Sequence, residues 1–131
     1  MKNIITTFEP LADRQKIKLI FSGFESEILI WYDANALVKA FNNLISNAIK
    51  YTKSGGTIEV SAIRSNNNEF LDINVSDDGI GIEKENLSKI FNQFYHVAGN
   101  SESYEKGFGV GLSLTKNLIA LHKGSISISS E

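Results

Sequence analysis

Two alternating segments, separated by four residues, constrain this chain most. TIEVSAIRS (57–65) sets Ile58, Val60 and Ala62 against Thr57, Glu59 and Ser61. FLDINVSDD (70–78) sets Leu71, Ile73 and Val75 on one parity. A period of two marks half-buried strands, and the polar NNNE (66–69) between them reads as a hairpin-like loop. Strands with one apolar face need a covering layer.

The remaining segments supply it. Asp33 is a good N-cap for a helix over about 34–52, with SGG (54–56) as its stop. At about 100° per residue, Leu37, Val38, Phe41, Leu44, Ile45 and Ala48 gather on one side of that helix. IKLIFSG (17–23) and EILIWY (27–32) read as short strands, and EKENLSKIFNQF (83–94) as a short helix. YHVAGNSESYEKG (95–107) is polar and patternless. A last helix is expected over 110–121, with Val110, Leu114, Leu118 and Leu121 as its apolar stripe, and GSISISS (124–130) as a closing strand. The order predicts an α/β two-layer sandwich: a mixed, mostly antiparallel sheet covered on one face by about three helices.

At 131 residues the chain suits one domain. A net charge of −2 offers no broad basic surface for nucleic acid or membrane. The chain has no cysteine, which excludes a disulfide framework and fits a reducing compartment. No apolar run approaches the roughly 20 residues that span a bilayer, and MKNIITTFEP lacks a signal-peptide core.

Asn43, Asn47, Lys50 and Tyr51 share the other side of the 34–52 helix, stacked at i, i+4, i+7 and i+8. One reading is a solvated polar face. The other is a metal–polyphosphate face: a neutral amide oxygen suits Mg²⁺, lysine neutralises phosphate and tyrosine lies along a base. In the strand at 70–78, Asp77 continues the parity of Leu71, Ile73 and Val75, which puts a carboxylate at the mouth of the core. A carboxylate there wants a donor, and the exocyclic amine of adenine is one candidate. DDGIGI (77–82) is either a plain turn or a close approach of backbone to a flat ligand. GFGVG (107–111) opens a helix with glycine at alternate positions, and suits either a hinge or an anion site. It matches neither the dinucleotide fingerprint nor the Walker loop.

Taken in order, these motifs resemble the catalytic ATP-binding domain of bacterial sensor histidine kinases, within the gyrase, chaperone, kinase and mismatch-repair (GHKL) ATPase superfamily with its Bergerat-type fold. NLISNAIKYT (43–52) resembles the N box, DDGIGI (77–82) the first glycine box, IFNQFYHV (90–97) the F box and GFGVGLSL (107–114) the second glycine box. The resemblance implies that Asn47 holds Mg²⁺, with Asn43 nearby on metal or phosphate. It implies Lys50 on phosphate, Tyr51 beside adenine or ribose, and Asp77 accepting from the adenine amine. Gly79, Gly81 and Ile82 would shape the adenine slot. Phe94 of the F box, then Gly107, Phe108, Gly109, Val110, Gly111 and Leu112 at the helix start, would complete the nucleotide-binding set. Residues 95–108 would form a lid over ATP.

The resemblance also implies an activity: Mg-ATP is bound and its γ-phosphoryl group passes to a histidine elsewhere. Hydrolysing members of the superfamily keep a glutamate as general base where this chain has Asn43. An amide cannot take a proton near neutral pH, which speaks against a gyrase- or chaperone-like ATPase. A nucleotide-binding module acting by interaction alone is the other alternative. Neither His96 nor His122 lies in the acidic motif of a phospho-acceptor, so no catalytic residue is assigned. His122 is read as structural. The expected partners are a dimerisation and phosphotransfer hairpin and a downstream receiver domain, with no nucleic acid and no direct membrane contact. The domain itself is expected to be monomeric and cytoplasmic. Relatives continue into one more strand bearing G-x-G-T/S-x-F, which residues 1–131 lack.

Overall fold

A computed structural model describes residues 2–23, 33–65, 70–95 and 109–131, with side chains from Thr6 onward. Its elements are α1 (Lys2–Arg14), β1 (Lys18–Ser22), α2 (Ala34–Tyr51), β2 (Thr57–Arg64), β3 (Leu71–Asp77), α3 (Lys84–Leu87) and α4 (Gly111–Leu121). They fall into two compact units. Met1–Tyr32 with Ile45–Ile80 make the first, and Asp33–Leu44 with Gly81–Glu131 the second. The strand expected at 27–32, the loop at 66–69 and most of the lid lie outside the described residues.

In the first unit the sheet runs β1-β2-β3 and is mixed, as expected. β1 pairs parallel with β2, while β2 and β3 pair antiparallel. Ile58, Val60 and Ala62 of β2 are buried. The register sets Leu19 and Phe21 beside Ile58 and Val60 on one edge, and Val75 and Ile73 beside Val60 and Ala62 on the other. That face is covered by Phe8 and Ala12 of α1, Ile17, and Ile45, Ala48 and Ile49 of α2. Burying a side chain such as Ile58 contributes about 1.5–3 kcal/mol of hydrophobic free energy, which is why this layer organises the unit.

The helix α1 was not anticipated. Its interior holds Pro10, a residue that removes a backbone donor and normally argues against a helix. The exit of α1 is a Schellman-type turn with lysine in glycine's place. Lys16 takes φ 59, its N–H donates to Asp13 O and the N–H of Ile17 to Ala12 O.

The helix α2 matches its expected span. Asp33 caps it, with its Oδ1 accepting from the N–H groups of Asn35 at 2.8 Å and Ala36 at 3.2 Å. Its expected apolar stripe needs correction. Phe41, Ile45 and Ala48 are buried, but Leu37 and Leu44 are half-buried and Val38 is exposed. Ala36 and Ala40 are buried instead, in the second unit. Asn43 follows them at i+7 and i+3 on the same helix face, so that face is not simply solvated.

Three further expectations fail in the second unit. The helix expected at 83–94 is the single turn α3, followed by hydrogen-bonded turns to Tyr95. After Leu87 the chain runs in short turns, with Lys89 N–H donating to Asn86 O and Asn92 N–H to Lys89 O, and Phe94, at φ 64, donates its N–H to Gly109 O. GSISISS (124–130) forms no strand among the described residues. In α4 the expected leucine stripe does not form the buried face: Leu114 and Leu121 are exposed, and the buried residue is Thr115.

Candidate functional site

The first unit holds Asn47, Lys50, Tyr51, Asp77 and Gly79. Asn47 is half-buried and Tyr51 is exposed near the end of α2. Lys50 Nζ stands 5.3 Å from the centroid of the Tyr51 ring, within cation–π range. The parity argument for Asp77 holds: it pairs with Ile58 across the β2–β3 ladder, so it ends the row of core-facing residues. It is nevertheless exposed, which suits a carboxylate. Its Oδ1 accepts the N–H of Gly79 at 3.0 Å.

Gly79 makes a close approach, but to the protein's own backbone. A Cβ there would stand 2.6 Å from both Tyr51 O and Asp77 Oδ1. The next residue, Ile80, donates its N–H to Tyr51 O at 3.2 Å. The glycine therefore lets the turn after β3 seat against the last carbonyl of α2, fixing Asp77 close in sequence to that contact. Asp78, which carried no expectation, is a structural acid: its Oδ1 accepts the N–H of Thr57 at 2.8 Å. Its backbone N–H donates to Thr57 O, closing the end of the ladder. Thr52 Oγ1 is buried without a hydrogen-bond partner among the described residues.

The second unit holds Asn43, Gly81, Ile82, Phe94, Gly109, Val110, Gly111 and Leu112. Gly107, Phe108 and His96 lie outside the described residues. Gly81 has φ 71, a conformation that favours glycine. The N–H of Ile82 donates to Ser130 Oγ at 2.8 Å. Phe94 is exposed and Phe91 half-buried, with Lys116 Nζ 5.6 Å from the Phe91 ring. Tyr95, at the start of the expected lid, is anchored by its hydroxyl, which donates to Asn86 Oδ1 at 2.7 Å. Phe91, Gln93, Val110, Ser113, Leu114 and Lys116 border an open groove of about 480 Å³.

Asn43 is tied to the start of α4. Its Nδ2 donates to Gly111 O at 3.2 Å and to Thr115 Oγ1 at 3.4 Å. Thr115 Oγ1 in turn donates to Gly111 O at 2.9 Å. Val110 is the cap residue of α4, and no side-chain capping hydrogen bond is made there among the described residues. The first N–H groups of a helix lack intrahelical partners and carry partial positive charge, so this end suits an anion. At the other end of α4, His122 proves structural. Its Nε2 accepts the N–H of Asp33 at 3.0 Å, so Nδ1 carries the proton and donates to Leu118 O at 2.7 Å. Among the described residues, no group of three or more His, Cys, Asp or Glu is placed to hold a metal, and no helix is long and apolar enough to cross a membrane.

Comparisons with known proteins agree with this reading of the motifs. The family model described as histidine kinase-, DNA gyrase B-, and HSP90-like ATPase matches residues 32–131. The chain belongs to that family. Histidine kinase P4 of Formosa agariphila is 37% identical over 131 residues, which are 98% of this chain and 9% of that protein. Sensor protein RprX of Bacteroides fragilis is 35% identical, over 98% of this chain and 25% of its own length. Sensor histidine kinase WalK of Bacillus subtilis is 32% identical, over 96% of this chain and 20% of its own length. The chain thus spans a quarter or less of these three relatives. Among solved structures, the catalytic domain of histidine kinase ThkA superposes with a TM-score of 0.76 at 23% identity, covering 92% of this chain and 76% of that one. Full-length ShkA in complex with AMPPNP superposes with a TM-score of 0.82 at 21% identity, covering 99% of this chain and 26% of that one. These two likenesses establish the fold, that of a histidine kinase catalytic domain.

Proposed function

We propose that this domain binds Mg-ATP and passes the γ-phosphoryl group to a histidine on a separate dimerisation hairpin of a longer sensor kinase. The observation that carries the reading is Asp77, an exposed carboxylate at the end of the core-facing row, followed directly by the glycine turn. In the proposed roles, Asp77 accepts from the adenine amine, Gly79, Gly81 and Ile82 bound the base, and Tyr51 flanks adenine or ribose. Lys50 and the second glycine motif, Gly107 to Leu112, meet the phosphates, and Phe94 belongs to the same set.

The donor chemistry fits Mg²⁺. The half-buried Asn47 offers one hard, neutral oxygen, and Mg²⁺ commonly takes one or two protein ligands plus phosphates and water. Asn47 would hold the ion, with Asn43 nearby. When bound, Mg²⁺ neutralises charge on the phosphate oxygens. The chain's own residues bind and orient: they fix the base and align the phosphates. Transfer rather than hydrolysis is favoured by Asn43. An amide is no base near neutral pH, and its nitrogen is already engaged by Gly111 O and Thr115 Oγ1. The phosphorylated hairpin would then serve a receiver domain, on the cytoplasmic side of a membrane sensor.

The test supplies γ-labelled ATP, Mg²⁺ and a histidine hairpin to the chain. Label on the hairpin, dependent on its histidine, is the expected result. Rapid release of free phosphate without an acceptor would instead place the domain with the hydrolases. Binding without transfer or hydrolysis would make it an interaction module.

A further inference from the structure

We propose that Thr115 is a positioning residue: with the Gly111 carbonyl it fixes which end of the Asn43 amide faces α4, and so which end is offered to Mg-ATP. The second clause rests on the proposed function. The first rests on geometry alone.

Thr115 is the buried residue of α4, at 0% exposure, and the nucleotide-binding set does not include it. Its Oγ1 proton is spent on Gly111 O at 2.9 Å, so toward Asn43 the hydroxyl presents a lone pair. Gly111 O, the second neighbour of that amide end, is an acceptor only. Two acceptors facing one end of an amide require its nitrogen there. Turning the amide would set oxygen against oxygen and forfeit both hydrogen bonds. The amide oxygen, the end able to ligate a metal, is thereby kept off those two acceptors; it lies beside the open side of Gly111, 3.4 Å from where a Cβ would stand. Burial stiffens the choice, because an unpaired polar group costs more where water cannot replace its partner. The bland alternative is that Thr115 merely fills space and bonds back to its own helix, a common habit of threonine. In that case the methyl group and volume matter, and the link to Asn43 does not.

Two substitutions separate these readings. Thr115→Val keeps the shape and removes the hydroxyl; Thr115→Ser keeps the hydroxyl and removes the methyl. The 131-residue chain is labelled with ¹⁵N, and the Asn43 side-chain amide signals are followed without nucleotide. Mg-ATP affinity is measured in parallel by calorimetry, with thermal unfolding as the check on folding. Thr115→Val is expected to move the Asn43 amide signals and to weaken Mg-ATP binding about five- to tenfold, the scale of one lost hydrogen bond. Thr115→Ser is expected to retain both. Should Thr115→Val not fold, Thr115→Ala takes its place with the same expectation. Wild-type Asn43 signals and affinity in Thr115→Val overturn the proposal, as does equal damage by Ser and Val. Absence of Mg-ATP binding by the unsubstituted chain overturns the proposed function instead. The amide signals then decide the positioning role on their own.

Discussion

The two glycine-bearing turns look alike in sequence and differ in what demands their glycines. At Gly79 the fold makes the demand: any Cβ would stand 2.6 Å from the Tyr51 carbonyl oxygen, a backbone atom that cannot step aside. At Gly111 the fold makes none. Its φ is not positive, and an added Cβ would lie 3.4 Å from Asn43 Oδ1, an ordinary contact. A glycine motif thus mixes positions that build the protein with positions that leave room for something else. Gly111 belongs to the second kind, at an uncapped helix start where the proposed function puts phosphate.

That contrast can be broken by substitution. Gly79→Ala is expected to lose about 2–3 kcal/mol of stability, the upper range for overpacking, read from the urea midpoint. Gly81→Ala is expected to lose about 1–2 kcal/mol, the cost of a left-handed conformation for an L-residue. Gly111→Ala should leave stability unchanged or raise it by up to about 1 kcal/mol, since alanine is the better helix former. The same change should weaken Mg-ATP about tenfold, because one methyl group obstructs the helix N-terminus; this magnitude assumes ~1.4 kcal/mol per decade. A stability loss at Gly111 as large as that at Gly79 would erase the distinction. The smallest effect belongs to Thr52→Val. The buried Oγ1 has no partner among the described residues, so replacing it should change stability by less than about 1 kcal/mol, toward greater stability.

What the sequence disclosed follows the same division between local and distant causes. The alternation of 57–65 and 70–78 foretold the β2–β3 pair, and parity placed Asp77 at the end of the core row. Asp33 foretold its own cap. These are local rules acting on consecutive residues. The failures came where a local signal misleads or where a partner far along the chain decides. Pro10 hid α1, whose Phe8 and Ala12 join the core of the first unit. Lysines at 16 and 123 take the left-handed positions that end α1 and α4, where a reader looks for glycine. The segment expected as a helix at 83–94 makes one helical turn and then short-range turns, and ends where Phe94 bonds Gly109 O. In α4 the apolar period pointed to Leu114 and Leu121, but the bonds among Gly111, Thr115 and Asn43 mark the buried side. No period in hydropathy marks a buried threonine. The asparagine pair was legible as a polar stack, yet its two members differ. Asn43 is bonded to α4, whereas Asn47, one turn on, is the residue we propose to hold the metal.

In the proposed function Asp77 reads the adenine amine. Asp77 Oδ1 also accepts from Gly79, so truncation would confuse binding with the turn. Asp77→Asn keeps an acceptor for that N–H, removes the charge and presents donors to a donor. Calorimetric titration of this variant with Mg-ATP, beside thermal unfolding, separates the two roles of the carboxylate. The expected result is an unfolding temperature close to that of the unsubstituted chain and an affinity lower by about tenfold or more, the scale of a charge-assisted hydrogen bond. An undiminished affinity in a folded Asp77→Asn variant would contradict it.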